Sequence, residues 1–498
     1  MLVHHDEESH GDLAQDSIPL LLKHKQSTTL EEDGSNIEGI SSSLGKKLPV
    51  IVYKFLFMCN IILCFTILIV VFSLPSYSDV PSHYRHLRNH VESKNISGRA
   101  NHNQEKVFIA ISLYDPDGAL VSGSWGQQLL DLIDLLGPSN TYLSIFQSDS
   151  GQGAQLDAFS KKVLCKHKIV TEPTAPIGGL QIFEMPDGDA AVSRIAYLAS
   201  ARNKALEPLN ELDQYDKILY LNDVFFDPIE AAQLLFLTNS RMDGSRATYG
   251  AACAMDFVNP VHYYDTFATR DTEGHGIKWN VYPWFAAAGE AKTRQDIMTA
   301  SDHVRVTSCW GGMVAFDATL FQDIQGPGEP LNETVRFRSE NELGWESSEC
   351  CLIHADIKKI RNTADIYMNP YIRVAYSKQT FSWLKLVRKI ERFFIIARIV
   401  FDQFVPAPDH ERRAVKVGEA VLKRVWSKHN QSIALLDPAN WETKMVSANP
   451  GSFCGQKGTF IRRLTPTSYG GRADTPNWES VPAWLLPQPP TNASLEVL

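Results

Sequence analysis

The residues of this chain best suited to chemistry are oxygen donors at strand ends. The run ILYLNDVFFD, residues 218–227, is apolar until it reaches Asn222-Asp223, and Asp227 follows four residues later. A strand of this kind delivers polar groups to the carboxyl edge of an open α/β sheet, where the ligands of such sheets bind. Mn²⁺ or Mg²⁺ takes oxygen ligands there and shares them with a diphosphate. Asp223 is therefore a candidate metal ligand, with Asn222 beside it. The competing reading makes Asp223 a turn cap.

Four further groups can join such a site. Arg202, Asn203 and Lys204 lie on a predicted helix just before that strand, where an arginine can hold a diphosphate through paired contacts or simply face solvent. The loop from Asp265 to Gly274 sets Asp265, Asp271 and Glu273 around Arg270, a composition suited to a lid or to local ion pairs. Trp310-Gly311-Gly312 joins an aromatic face to backbone that can be closely approached, as a sugar ring or a tight turn would need. Glu346 and Glu349 are three residues apart, so a helix start would put both on one face as base or charge stabiliser. His354 and Asp356 follow a short apolar run and can add a nitrogen or oxygen ligand, or serve structurally. Vicinal Cys350 and Cys351 read as structural. No Gly-x-Ser-x-Gly elbow, Walker loop or HExxH is present, which argues against common hydrolase, NTPase and zinc-protease chemistries.

These side chains need a framework, and the pattern supplies one. KVFIAISLY and TYLSIFQSD read as buried strands, with WGQQLLDLIDLLG as the helix between them, closed by Gly137-Pro138. LDAFSKKVLCKH and IAYLASARNKALEPLNEL read as helices, and DKILYLNDVFF as the next strand. Strand–helix–strand alternation predicts an α/β fold with a mostly parallel sheet. Beyond Pro228 long loops separate short apolar strands. A basic helix is expected over 381–401, as a core helix or one resting on a membrane surface. A Pro/Gly-rich tail follows, and there are no internal repeats.

Residues 55–74 carry no charge and are long enough to cross a bilayer. Lys46, Lys47 and Lys54 precede them, and no Lys or Arg follows at once. The positive-inside rule then puts the N-terminus in the cytosol. Sequons at Asn95, Asn332, Asn430 and Asn492 agree with a lumenal remainder. Residues 1–54 read as a disordered tail and 75–105 as a stem. With 57 acidic against 48 basic residues and net charge −9, the chain is not a nucleic-acid binder held by phosphate contacts. Of eight cysteines, six lie outside the apolar segment and permit disulfides, without revealing a pairing.

Read in order, KILYLNDVFF, GAACAMDF, YYDTFATRDTEGH, VTSCWGGMVAFDA, VRFRSE and ESSECCLIHADI resemble the fungal cryptococcal-type α-1,3-mannosyltransferase family, which includes the capsule-associated proteins. The resemblance covers roughly Val107 to Tyr376. It implies a Rossmann-like mixed α/β sheet of the glycosyltransferase A type over 106–400, with 401–498 as a C-terminal extension. It also implies GDP-mannose as donor, Mn²⁺ (or Mg²⁺) as cofactor, and retaining transfer to a mannose-containing glycan acceptor. Such folds commonly carry Asp-x-Asp at the metal. Here Leu221-Asn222-Asp223 supplies one acid, leaving Asp256, Asp271 or His354 to complete the set. On this reading Arg202 and Asn203 contact the nucleotide, and Glu349 faces the sugar. Trp310, Gly311, Gly312 and Glu346 shape the acceptor site. The expected setting is a Golgi membrane, single-pass, with the catalytic domain lumenal. The rivals are a transferase using another nucleotide sugar, a non-catalytic lumenal scaffold for glycan assembly, and a glycosidase.

Overall fold

The computed structural model describes residues 44–148, 153–172, 178–212, 214–240, 246–277, 279–287, 289–322, 334–340, 345–395, 397–398, 416–426, 432–464 and 478–481. The chain divides into two units, His4–Ser73 and Leu74–Leu498, apart from its first three residues.

In the first unit the described residues form one helix, Leu44–Ser73, which starts earlier than the expected 55. Its stretch Val52–Ile69 has a mean hydropathy of 2.2 and no buried residue, so it is long and apolar enough to cross a membrane. Its few polar side chains fold back on the helix. Asn60, Thr66 and Ser73 donate to the carbonyls of Leu56, Ile62 and Ile69 at 2.9, 2.8 and 2.7 Å. Internal partners of this kind are what a lipid environment requires.

The second unit is organised by an eight-stranded sheet. Its order is Lys166–Glu172, Thr141–Ser148, Val107–Leu113, Lys217–Leu221, Met313–Asp317, Ala251–Phe257, Ile366–Ala375 and Val304–Arg305. Most of the inner strands are buried along their whole length, which is why they read as continuous apolar runs. The sheet is mixed and mostly parallel: six of its eight strands run in one direction and two oppose them. Met313–Asp317 inserts antiparallel between Lys217–Leu221 and Ala251–Phe257, and Val304–Arg305 adds an antiparallel edge. Two strands that are each antiparallel to the same insert run parallel to one another. The carboxyl ends after Leu221 and at Phe257 therefore emerge on one edge, together with those of Val107–Leu113 and Ile366–Ala375.

Local sequence explains the helices. Gly137, at φ +89°, closes Ser124–Leu136. Ser193 caps Arg194–Leu206 by accepting from the Ala196 amide at 3.2 Å. Asp227 caps Pro228–Leu237, accepting from Ile229 at 2.9 Å, with Pro228 at the first position. Asp227 thus takes the capping role. The helix expected over 156–167 stops at Ser160, and Lys166–Glu172 becomes an edge strand. Lysines on an edge strand keep it from pairing with other chains.

Both segments flanking 106–400 pack against it. In the expected stem, 75–105, Tyr77 and Tyr84 are fully buried, and Ser82–Ser93 inserts Tyr84, Leu87 and Val91 into the core at helical spacing. The expected extension, 401–498, also joins it. Thr459–Arg463 pairs with Ala190–Ser193 in a four-stranded sheet, and Cys454 is bonded to Cys351. A second disulfide joins Cys253 to Cys309, while Cys165 and Cys350 are free and buried. Asn95 is exposed; the other three sequons lie outside the described residues.

Tyr77 seals the start of this unit. Its hydroxyl donates to the Ser301 carbonyl at 3.2 Å, and its ring lies 4.8 Å from that of Tyr371. Tyr77→Ala is expected to destabilise the unit by ~3–5 kcal/mol, as large-to-small core changes do. Near-UV circular dichroism melting of the full chain in detergent checks this.

Candidate active site

Arg202 is the centre of the site. It is only 5 % exposed, on the inward face of Arg194–Leu206. Its Nε donates to Glu349 Oε1 at 3.0 Å, and its Nη1 donates to Asn222 Oδ1 at 3.1 Å. The guanidinium carbon lies 4.3 Å from the Trp310 ring centroid, with Tyr220 and Phe337 at 5.4 and 5.6 Å. A buried guanidinium survives only when its charge and donors are matched, and here a carboxylate, an amide oxygen and three aromatic faces do so. Four positions singled out in the sequence (Arg202, Asn222, Trp310 and Glu349) thus meet in one cluster.

Glu349 is the first residue of Glu349–Ile360. Ser348 caps this helix, accepting from the Cys350 amide at 3.2 Å. A carboxylate at a helix N-terminus is favoured by the helix dipole. Cys350 Sγ also donates to Glu349 Oε1, at 3.4 Å. Glu346 was expected on the same helix. It lies instead on the short strand Trp345–Ser347, across the cap from Glu349. Burial, and then the charge of Glu349, push its carboxyl up to about 8. Its Oε1 and the Trp310 indole nitrogen are buried with no hydrogen-bond partner among the described residues. Burial thus favours the protonated form of Glu346, and an acid with its pKa near the working pH suits acid–base chemistry.

A second acid pair lies on the same sheet edge. Asp256 is fully buried; its Oδ1 accepts from the Asp265 amide at 3.1 Å and its Oδ2 from the Tyr376 hydroxyl at 2.9 Å. Burial, and then the neighbouring Asp265 charge, push Asp256 up to about 8. Arg194 and Tyr264 bridge the two acid groups electrostatically. Arg194 feels Tyr264 and Glu349, and Tyr264 feels Asp256 and Asp265.

Gly311 and Gly312 build the floor. Both have positive φ, +59° and +67°. A Cβ on Gly311 would lie 1.9 Å from the Ala254 carbonyl oxygen, so no other residue fits. The Gly312 carbonyl accepts from the Asn222 amide at 2.9 Å, which fixes the strand end carrying Asp223. Their role is to pack the insert strand, not to open backbone to an acceptor. Asp223 itself is buried at that strand end.

The other singled-out residues have partners within the unit. Trp310 is buried, with Arg202 over its ring. Asn203 is committed to backbone: it donates to the Phe337 carbonyl at 2.7 Å and accepts from the Phe337 amide at 2.9 Å. Asp271 holds its own turn, accepting from the amides of Glu273 and His275 at 2.9 and 2.8 Å. His354 is a core residue. Its Nδ1 meets the Cys350 carbonyl at 2.8 Å, its Nε2 faces Cys253 Sγ at 4.0 Å, and burial lowers its pKa to about 4. The sulfurs of Cys253 and Cys309 beside it are bonded to each other and are not thiolate ligands. Asp356 pairs with Arg338 at 2.7 Å. The loop 265–274 is not a loose lid, since Arg270 is buried and donates to the Phe453 and Cys454 carbonyls at 3.1 and 3.2 Å.

Residues missed in the sequence are Arg194, Asp265, Tyr264, Tyr376 and Cys350. Only Arg194 left a trace: it precedes Arg202 by eight positions, about two helical turns, which is one face. A charged depression of about 500 Å³ lies at the opposite edge of the sheet, lined by Lys217, Arg246, Asp317 and Arg361, and its Arg361 and Asp317 pair at 2.6 Å.

The Glu346 shift has a sign. An acid whose folded pKa lies above its ordinary value of 4.5 holds its proton more tightly when folded. Its contribution is complete below about 4.5 and is lost as pH rises to about 8. Glu346→Gln should remove that loss and be more stable than wild type at pH 8 by roughly 2–4 kcal/mol. The two proteins should converge near pH 4. Urea unfolding at both pH values checks this, with a residual slope from Asp256 remaining in the variant.

The family model described as "Cryptococcal mannosyltransferase 1" matches residues 106–356, half of the chain, and this segment holds every site residue above except Tyr376. No curated protein matches by sequence. Similar solved structures include the mannosyltransferase PcManGT from Pyrobaculum calidifontis in complex with GDP-Man and Mn²⁺, at 10% identity and TM-score 0.31, covering 64% of this chain and 71% of that one. Another is glucosyl-3-phosphoglycerate synthase from Mycobacterium tuberculosis with Mg²⁺ and UDP, at 10% identity and TM-score 0.29, covering 72% and 92%. A third is S. aureus TarS 1–349, at 11% identity and TM-score 0.29, covering 61% and 76%. At such scores the superpositions are too loose to carry over a ligand or a residue role. The mixed α/β sheet has glycosyltransferases among its structural neighbours, and by the family match the chain belongs to the cryptococcal mannosyltransferase family and is a glycosyltransferase.

Proposed function

We propose that this chain transfers mannose from GDP-mannose to a mannose-containing glycan, forming an α-1,3 linkage with the help of Mn²⁺ or Mg²⁺. The observation that carries the reading is the Arg202–Glu349–Asn222 cluster, packed beside the strand end that bears Asp223 and lying inside the family segment.

The residues fit a hard divalent cation. Asp223, Asp256, Asp265, Glu346 and Glu349 are buried or nearly so around this edge, and burial, then a neighbouring acid, pushes Asp256 and Glu346 up to about 8. Asp223 would hold the ion. Bound there, the ion would neutralise charge on the departing diphosphate. Asp256 is engaged with Asp265 and Tyr376 and supports the site from behind. Arg202 holds Glu349 in one position. Glu349 stabilises positive charge on the sugar as the bond to the diphosphate lengthens. As the sugar–diphosphate bond breaks and GDP leaves, the acceptor hydroxyl forms the new glycosidic bond and gives up its proton, which Glu346 accepts in its deprotonated form.

A lumenal orientation suits the same chain. Both disulfides lie after the apolar helix, and disulfides persist in oxidising compartments. The three lysines before the apolar segment favour a cytosolic N-terminus. A Golgi membrane satisfies both.

The test uses the full chain in detergent with GDP-mannose, Mn²⁺ and α-mannobiose. The acceptor should grow by one mannose, and a chelator should stop it. Asp223→Asn should lower the rate ~100-fold or more at unchanged melting temperature. Transfer that ignores both chelator and Asp223→Asn overturns the metal-dependent reading.

A further inference from the structure

The helix Lys378–Ile390 has one face fixed to the domain. Thr380, Leu384, Val387 and Arg388 are buried, and Glu391 just beyond it pairs with Arg373 at 2.8 Å. The other face leaves Trp383 and Leu386 each 50 % exposed and Ile390 45 % exposed. Spacings of three and four place these side chains on one stripe. Lys378, Lys385 and Lys389 are exposed beside it, and the helix contains no Asp or Glu. A helix meant only for water would place polar residues on that stripe. An exposed Trp and two large aliphatics rimmed by lysines is instead the make-up of a helix that lies in a lipid interface.

Chain connectivity gives the stripe a neighbour. Arg392, two residues past the helix, donates to Ser78 Oγ at 3.0 Å and lies 3.7 Å from Asp79. Ser78 is five residues beyond Ser73, the last residue of the apolar helix. Five residues reach at most ~17 Å when fully extended. If Leu44–Ser73 crosses a bilayer, the end of Lys378–Ile390 is tethered close to the surface of that bilayer.

We infer that this stripe is a second membrane contact. Trp383, Leu386 and Ile390 enter the interface of a phospholipid bilayer, and Lys378, Lys385 and Lys389 meet its phosphate groups. The inference rests on Leu44–Ser73 being a membrane span. Burial of Tyr77 and Tyr84 agrees with it, since it leaves only a short tether after Ser73.

All ten tryptophans lie outside Leu44–Ser73, so quenching by bromine on lipid chains reports contact made by the second unit. The full chain is placed in nanodiscs of phosphatidylcholine and phosphatidylserine, with or without brominated acyl chains. Bromolipid should quench about the share of one tryptophan in ten. Trp383→Phe should abolish that quenching. So should Leu386→Glu combined with Ile390→Glu, with melting unchanged. Equal quenching in wild type and Trp383→Phe, or none while the chain stays in the disc, overturns the inference. Failure of the chain to enter discs overturns the span reading and the inference with it. A Leu386→Glu variant that converts a dimer to a monomer, without bromolipid quenching in wild type, assigns the stripe to a second copy and also overturns it.

Discussion

A guanidinium buried out of water must be matched by the structure around it, and most of this site follows from how Arg202 is matched. Its partners come from four places: Glu349 from a helix start, Asn222 from a strand end, Trp310 from a glycine turn, and Phe337 from the segment after the insert strand. Removing one member of a buried ion pair typically costs about 3–5 kcal/mol, while replacing both by apolar residues is often neutral. Stability alone therefore does not account for the pair. Its effect is to hold the Glu349 side chain in one orientation next to the strand end that carries Asp223.

The antiparallel insert and the C-terminal segment serve the same end. Met313–Asp317 can reach its place only through the Gly311-Gly312 turn, which packs against the Ala254 carbonyl and fixes the Asn222 amide. From the other side, the C-terminal segment is pinned by the Cys351–Cys454 disulfide and by Arg270, which donates to the Phe453 and Cys454 carbonyls. Glu346 lies on a short strand paired with Gly455–Lys457, so its burial depends on residues a hundred positions away. The C-terminal residues thus complete the site although the family match ends at 356.

How much of this was legible in the sequence depended on whether a feature is local. The long apolar helix and the buried strands were legible because an uncharged apolar run has few alternatives. Strand direction was not, because the inserted strand is as apolar as its parallel neighbours. Arg202, Asn222, Glu349 and Trp310 were each picked out by residue type, but composition cannot show that Arg202 would take the face of Trp310. His354 and Asp271 each have a local partner that composition does not show: His354 Nδ1 meets the Cys350 carbonyl, and Asp271 accepts from the amides of its own turn. The pairing of Asp256 with Asp265 joins a strand to the loop nine residues on, and nothing in either segment alone marks it. The helical spacing of Tyr84, Leu87 and Val91 did mark the supposed stem as a packed helix, and that trace was there to be used.

The central claim is that the Arg202–Glu349 pair is kept for transfer and not for folding. A double-mutant cycle with Arg202→Met and Glu349→Leu, reading melting temperature and mannose transfer on the same samples, tests it most directly. The account predicts that each single variant is destabilised, that the double variant regains much of the lost stability, and that none of the three transfers mannose. A double variant that regains stability and transfers at the wild-type rate would contradict it.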